Sequence, residues 1–117
     1  MSFRRVLVAV DLLDDSCEAV IERALDMVPS SQVISLLSVV NDLLPGAPDG
    51  SRSTGEQQQQ MHSLTQDVLT QLCERYGIPN FLVERGHPAA AIHRVAEWMK
   101  ADLVIIGCHS RHGWRAL

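Results

Sequence analysis

Four apolar residues in a row, Leu103 to Ile106, run directly into Gly107 and then into a short polar loop. An unbroken apolar run of this length, without polar alternation, is the pattern of a strand covered on both faces. Strands of that kind belong to parallel sheets flanked by helices, and this run therefore restricts the fold more than any other part of the chain. Gly107 lacks a Cβ and lets the backbone turn sharply or approach a ligand closely. The loop beyond it carries His109, Arg111, His112, Gly113 and Arg115. In α/β proteins, a strand that opens into a glycine-bearing, cationic loop is where phosphates are held.

Upstream, the chain alternates between strand and helix patterns. Arg4 to Val10 is a first strand, rich in β-branched residues and central in character, and it ends at Asp11. Asp15 followed by Glu18 has the spacing of a capping box, worth about 1 kcal/mol to a helix start. Cys17, Val20, Ile21, Ala24, Leu25 and Val28 then recur at helical spacing until Pro29 stops the helix. Val33 to Val40 is a second strand. Residues 41–60 contain Pro45, Gly46, Pro48, Gly50 and Gly55 and read as a long mobile loop, with the Gln57–Gln60 tract starting the next helix. Met61, Leu64, Val68, Leu72 and Tyr76 continue that helix, and Gly77 and Pro79 close it. Phe81 to Arg85 is a third strand whose polar residues suit a sheet edge. Pro88 fits the first position of a helix that buries Ile92, Val95, Ala96 and Met99, with Arg94, Glu97 and Lys100 on the solvated side and Trp98 part-buried on its flank. The order predicts a parallel sheet with helices on both faces, joined by right-handed crossovers. Ligands of such sheets bind beyond the carboxyl ends of the strands, where the winding reverses. If the first and fourth strands are neighbours, Asp11 and Gly107 share one crevice.

Bulk properties exclude several function classes. A chain of 117 residues is one domain, and a net charge of −4 argues against a nucleic-acid partner, which selects a basic face. The three cysteines, Cys17, Cys73 and Cys108, are odd in number and far apart, so no disulfide framework is implied and a reducing cytoplasm is expected. No apolar run approaches membrane-spanning length, and the N-terminus enters the first strand without an export signal.

Each candidate group has two readings. The Asp11 carboxylate can accept hydrogen bonds from an adenine amino group or a ribose hydroxyl, or it can cap nearby backbone amides. The Gly107 loop can cradle phosphates or serve as an ordinary strand-to-helix turn. Cys108, His109 and His112 lie within five residues, but no further ligand cluster joins them, so they read as loop residues rather than a metal site. Ser110 lacks the Gly-x-Ser-x-Gly elbow of a nucleophile, and the chain has neither a Walker sequence nor Gly-x-Gly-x-x-Gly.

Taken in order, RRVLVAVD ending on Asp11, the LLSVV second strand, the GHPAAAI turn and helix start, and ADLVIIG followed by a polar loop and RHG resemble the universal stress protein family over essentially the whole chain. The resemblance implies an α/β fold, a doubly wound, open parallel sheet that is Rossmann-like and adenine nucleotide alpha hydrolase-like, with strand order 3-2-1-4-5 and usually a dimer. It also implies, in one branch of the family, a site for ATP or another adenine nucleotide. On that basis Ala9, Val10, Asp11 and Val39 hold the adenosine, the backbone of Ile106 and Gly107 closes it in, and His109, Ser110, Arg111 and Gly113 belong to the phosphate loop. The family loop reads Gly, two residues, Gly, nine residues, Gly, then Ser or Thr. Here Ser110 stands at the second glycine, and the third falls beyond Leu117. The expectation is therefore a single truncated domain over residues 1–117, with order 3-2-1-4 and the last helix and fifth strand missing. The fourth strand becomes an edge through which copies of the chain self-associate or form a homodimer.

The function implied is a cytoplasmic stress-response regulatory module that binds an adenine nucleotide without efficient turnover. The alternative is the family's other branch, a dimeric interaction protein that binds no nucleotide. A small hydrolase or redox enzyme is poorly supported by the residues present.

Overall fold

The computed structural model describes residues 3–40, 55–107 and 115–116. The elements run β1 (Val6–Ala9), α1 (Cys17–Met27), β2 (Ile34–Val40), α2 (Gly55–Tyr76), β3 (Asn80–Arg85), α3 (Pro88–Met99), β4 (Leu103–Ile106) and β5 (Arg115–Ala116). They build one sheet of order β3-β2-β1-β4-β5. The first four strands are parallel, as the alternation of patterns predicts, and β3 is an edge. β5 adds antiparallel to β4, pairing Ile105 with Ala116 and Ile106 with Arg115. The edge expected to be open beside the fourth strand is thus partly taken by the chain itself. A two-residue strand is too short to leave a periodic signal in a sequence.

Side-chain alternation along each strand divides the core into two layers. Val6, Val8 and Val10 of the first strand region, Ile34 and Leu36 of β2 and Ile105 of β4 face α1 and α2, meeting Val20, Ile21, Ala24, Leu69 and Leu72. Leu7, Ala9 and Leu37 face α3, meeting Ile92 and Val95. This division follows from handedness. The crossovers from β1 to β2 and from β2 to β3 advance in the same direction and lay α1 and α2 on one face; the return to β4 puts α3 on the other. β1 is consequently buried from both sides, with Val6, Leu7 and Val8 wholly inaccessible.

Local sequence rules hold at most element ends. Gly77 adopts φ +67°, the left-handed conformation that ends α2. Pro88 stands in the first turn of α3. The capping box expected at α1 does not form: the cap is Ser16, which makes no side-chain cap bond. Asp14 Oδ1 instead accepts the Ser16 amide at 3.0 Å. Glu18 is drawn across to α2, where it pairs with Arg75 and accepts the Tyr76 hydroxyl at 2.9 Å. These two partners hold the Glu18 carboxyl below its usual range. The Gln57–Gln60 tract starts α2 as expected, the helix reaches back two residues further into the expected loop to Gly55, and the remaining loop positions, 41–54, fall outside the described residues. Trp98, expected to be part-buried, is 75% exposed. No helix among the described residues is long and apolar enough to cross a membrane.

Asp102 fastens the two central strands at their amino ends. Its carboxylate accepts the backbone amides of Arg4 at 2.9 Å and Arg5 at 3.1 Å, and its own amide donates to the Arg5 carbonyl. The amide of Arg4, chiefly, holds the carboxyl below its ordinary 3.8. A depressed folded-state pKa means the clasp contributes fully above the ordinary value and loses that contribution as pH falls through the lowered one. Asp102→Asn is therefore expected to lower the melting temperature at pH 7, and the gap from the wild type is expected to narrow as pH is taken down through the acid range. A gap independent of pH would contradict a charge-dependent clasp.

Lys100 terminates α3 at φ 56° and ψ 49°, with its amide and that of Ala101 closing back onto Glu97 and Ala96. A left-handed lysine costs roughly 1–2 kcal/mol, which glycine avoids at some expense in unfolded-chain entropy. Lys100→Gly should raise stability by about 0.5–1 kcal/mol, seen as a higher urea midpoint at unchanged slope.

Candidate functional site

The carboxyl ends of β1, β2 and β4 meet where the winding reverses. β1 pairs with β4 in a register that sets Ala9 beside Ile106, and the Gly107 amide reaches the Ala9 carbonyl at 3.5 Å. On the other side, the Val10 amide donates to Leu37 at 2.8 Å. Asp11 and Gly107 thus lie on adjacent strand ends, the condition the sequence left open.

Above these ends lies a cavity of about 660 Å³. Its floor is Ala9, Val10, Leu37, Ser38, Val39, Ile106 and Gly107, and Asp11, Leu12 and Leu13 form one margin. One wall is the first part of α2, with Gln57, Gln58, Gln60, Met61, Leu64 and Thr65; the opposite wall is the start of α3, with Pro88 and Ile92. Ala9, Val10, Asp11, Val39, Ile106 and Gly107, all named from the sequence, are therefore brought together. His109, Ser110, Arg111 and Gly113 lie outside the described residues.

The two readings of Asp11 are not exclusive. Its Oδ1 accepts the Leu13 amide at 3.0 Å, and its carbonyl accepts the Asp14 amide at 3.0 Å. This turn fixes the carboxylate in place while it lines the cavity. Asp11 is the only titratable side chain among the described residues of the lining. Leu13 and Leu64, at the cavity margin, are 85% and 61% exposed. The lining thus combines apolar side chains with amide, hydroxyl and carboxylate groups, a composition usual for small-molecule sites.

Cys17 begins α1 next to the Asp11 turn, at a position where a helix dipole ordinarily favours a thiolate. Burial acts against this, and Glu18, Asp11 and Asp14 add negative charge around it. The thiol is pushed up to about 11. Burial also raises Cys73. Both stay protonated at neutral pH, and neither is poised as a nucleophile.

The α2 wall was not recognisable as part of a site from the sequence. The glutamine tract carried no distinctive chemistry, and only the length of the helix signals its position. Twenty-two residues span roughly 33 Å at the helical rise, whereas the seven residues of β2 span roughly 23 Å. The excess must project past an end of the sheet. The helix is anchored by Leu69, Leu72 and Cys73 in its second half, so the projecting part is its beginning.

The chain matches the Universal stress protein family over residues 2–117. It is 31% identical over 121 aligned positions to Universal stress protein A homolog 1 of Coxiella burnetii, an alignment that takes in 97% of this chain and 81% of that protein. Its fold is similar to that of the universal stress protein UspA from Lactobacillus plantarum, with a TM-score of 0.70 at 22% identity, covering 96% of this chain and 83% of the other. With the sheet order, the reversal at β1 and β4 and the match along nearly every residue in agreement, the chain belongs to the universal stress protein family.

Proposed function

We propose that the cavity at the β1–β4 reversal binds an adenine nucleotide, ATP in the first instance, and that the protein acts as a stress-response regulatory module in the cytoplasm without efficient turnover. The observation that carries this reading is the convergence of Asp11, Val39, Ile106 and Gly107 on one cavity large enough for a nucleoside. Val39 and Ile106 supply apolar surface for a purine ring. Asp11 supplies an acceptor for an amino or ribose hydroxyl group, already oriented by the Leu13 amide. The exposed leucines at the mouth gain cover when a ligand lies against them. Binding without rapid hydrolysis is favoured by a lining whose one titratable group among the described residues, Asp11, is already engaged in a turn. Homodimer formation belongs to the same reading, with the outer edge of β4 beside Leu103 and Val104 left without a strand neighbour among the described residues.

Calorimetric titration with ATP tests the assignment. Asp11→Ala should weaken binding by roughly 10- to 100-fold, as expected for a hydrogen bond to a charged group. Asp11→Asn keeps an acceptor for the Leu13 amide and should fall between. Equal affinity in all three proteins would remove Asp11 from the site. A wild-type dimer that releases no small molecule on denaturation and shows no heat with ATP would favour the nucleotide-free interaction protein.

A further inference from the structure

Between Gly55 and Leu64, the first ten positions of α2, no residue is fully buried; full burial begins at Thr65. This stretch nevertheless forms a cavity wall through Gln57, Gln58, Gln60 and Met61. A helical segment with only part-buried side chains is held weakly by burial, so polar contacts carry much of its placement. Arg85, the last residue of β3, reaches across to it. Its Nη1 donates to Gln58 Oε1 at 3.1 Å, and its Nη2 donates to the Gln58 backbone carbonyl at 3.4 Å.

The base of this reach is fixed. Arg85 stands in register with Val40 at the end of β2, and the Gly86 amide donates to the Val40 carbonyl at 3.0 Å. Arg85 therefore ties the projecting turn of α2 to the same strand ends that floor the cavity. A cation near a helix N-terminus is opposed by the helix dipole. The forked guanidinium offsets this with two directed bonds, one of them to a carbonyl, which a point charge on a flexible stem reproduces poorly.

We propose that Arg85 is a positioning residue for the ligand site: it sets the distance of the α2 wall from the floor and so governs how tightly a bound ligand is enclosed. It touches the wall rather than the ligand. The assignment rests on the nucleotide reading for the identity of the ligand, but its geometric half stands separately.

Two measurements on the full chain test the two halves. Hydrogen exchange, followed by mass spectrometry without ligand, should show amides of residues 57–64 exchanging roughly three- to tenfold faster in Arg85→Ala. Residues 66–76 and the melting temperature should be unchanged. ATP affinity should fall by a similar factor through faster dissociation, and Arg85→Lys should recover part of both effects. Unchanged exchange over 57–64 would overturn the proposal, as would faster exchange with undiminished ATP affinity. If the wild type binds no ATP while exchange responds as described, the nucleotide reading fails and the placement of the wall by Arg85 stands.

Discussion

The burial of β1 on both faces is the constraint on which the rest of the molecule depends. Its residues are sandwiched between α1 and α2 on one side and α3 on the other, and each fully buried Val or Leu contributes roughly 1.5–3 kcal/mol relative to exposure. A strand covered in this way cannot slip by one residue without exchanging its two faces, so its registers with β2 and β4 are firmly set. Those registers place Ala9, the end of β1, between Leu37 and Ile106, with Asp11 two residues beyond. The site is therefore a by-product of core packing: the same burial that stabilises the sheet delivers a carboxylate to the reversal point.

Charge at this end of the sheet is distributed by tertiary contacts rather than by local sequence. Burial chiefly, and then the charges of Glu18, Asp11 and Asp14 around the start of α1, oppose ionisation of Cys17. Arg75 and Tyr76, at the far end of α2, take the Glu18 carboxylate for an inter-helix contact. Glu18 is thereby unavailable to cap its own helix, and Asp14 organises the turn in its place. The outcome is a protonated Cys17 and an Asp11 carboxylate held by its own turn at the margin of the cavity.

How much of this was legible in the sequence depended on the range of the interaction involved. The apolar runs at Val6–Ala9 and Leu103–Ile106 revealed buried parallel strands, because burial on both faces leaves no polar residue in the run. Asp11 and Gly107 were reachable from their places at the ends of apolar strands, Val39 and Ile106 only through family resemblance, and the structure gathers all four around one cavity. The capping box was misread because its spacing is a local signal, whereas the fate of Glu18 is decided by Arg75, 57 positions away. Trp98 was placed part-buried because it flanks the apolar stripe of α3, yet that flank is left open and the ring is largely exposed. β5 was invisible because pairing two residues is a matter of proximity, not of pattern.

The glutamine tract shows the same limit at the site itself. Nothing in four successive glutamines specifies a cavity wall, and the prolines and glycines before them suggest irregular chain. What gives them a place is arithmetic between elements: a helix about 10 Å longer than the strand it packs on has to overhang one end. The apolar residues of α2 fix which end, since Leu69, Leu72 and Cys73 hold the later turns against the sheet. The overhang then falls at the carboxyl ends of the strands, the side on which an α/β sheet binds its ligands. A wall that projects from the core is free to differ in sequence without disturbing the fold, provided that something like the Arg85 contact keeps it in place. Enclosure of the cavity and stability of the sheet are thereby assigned to different parts of one helix.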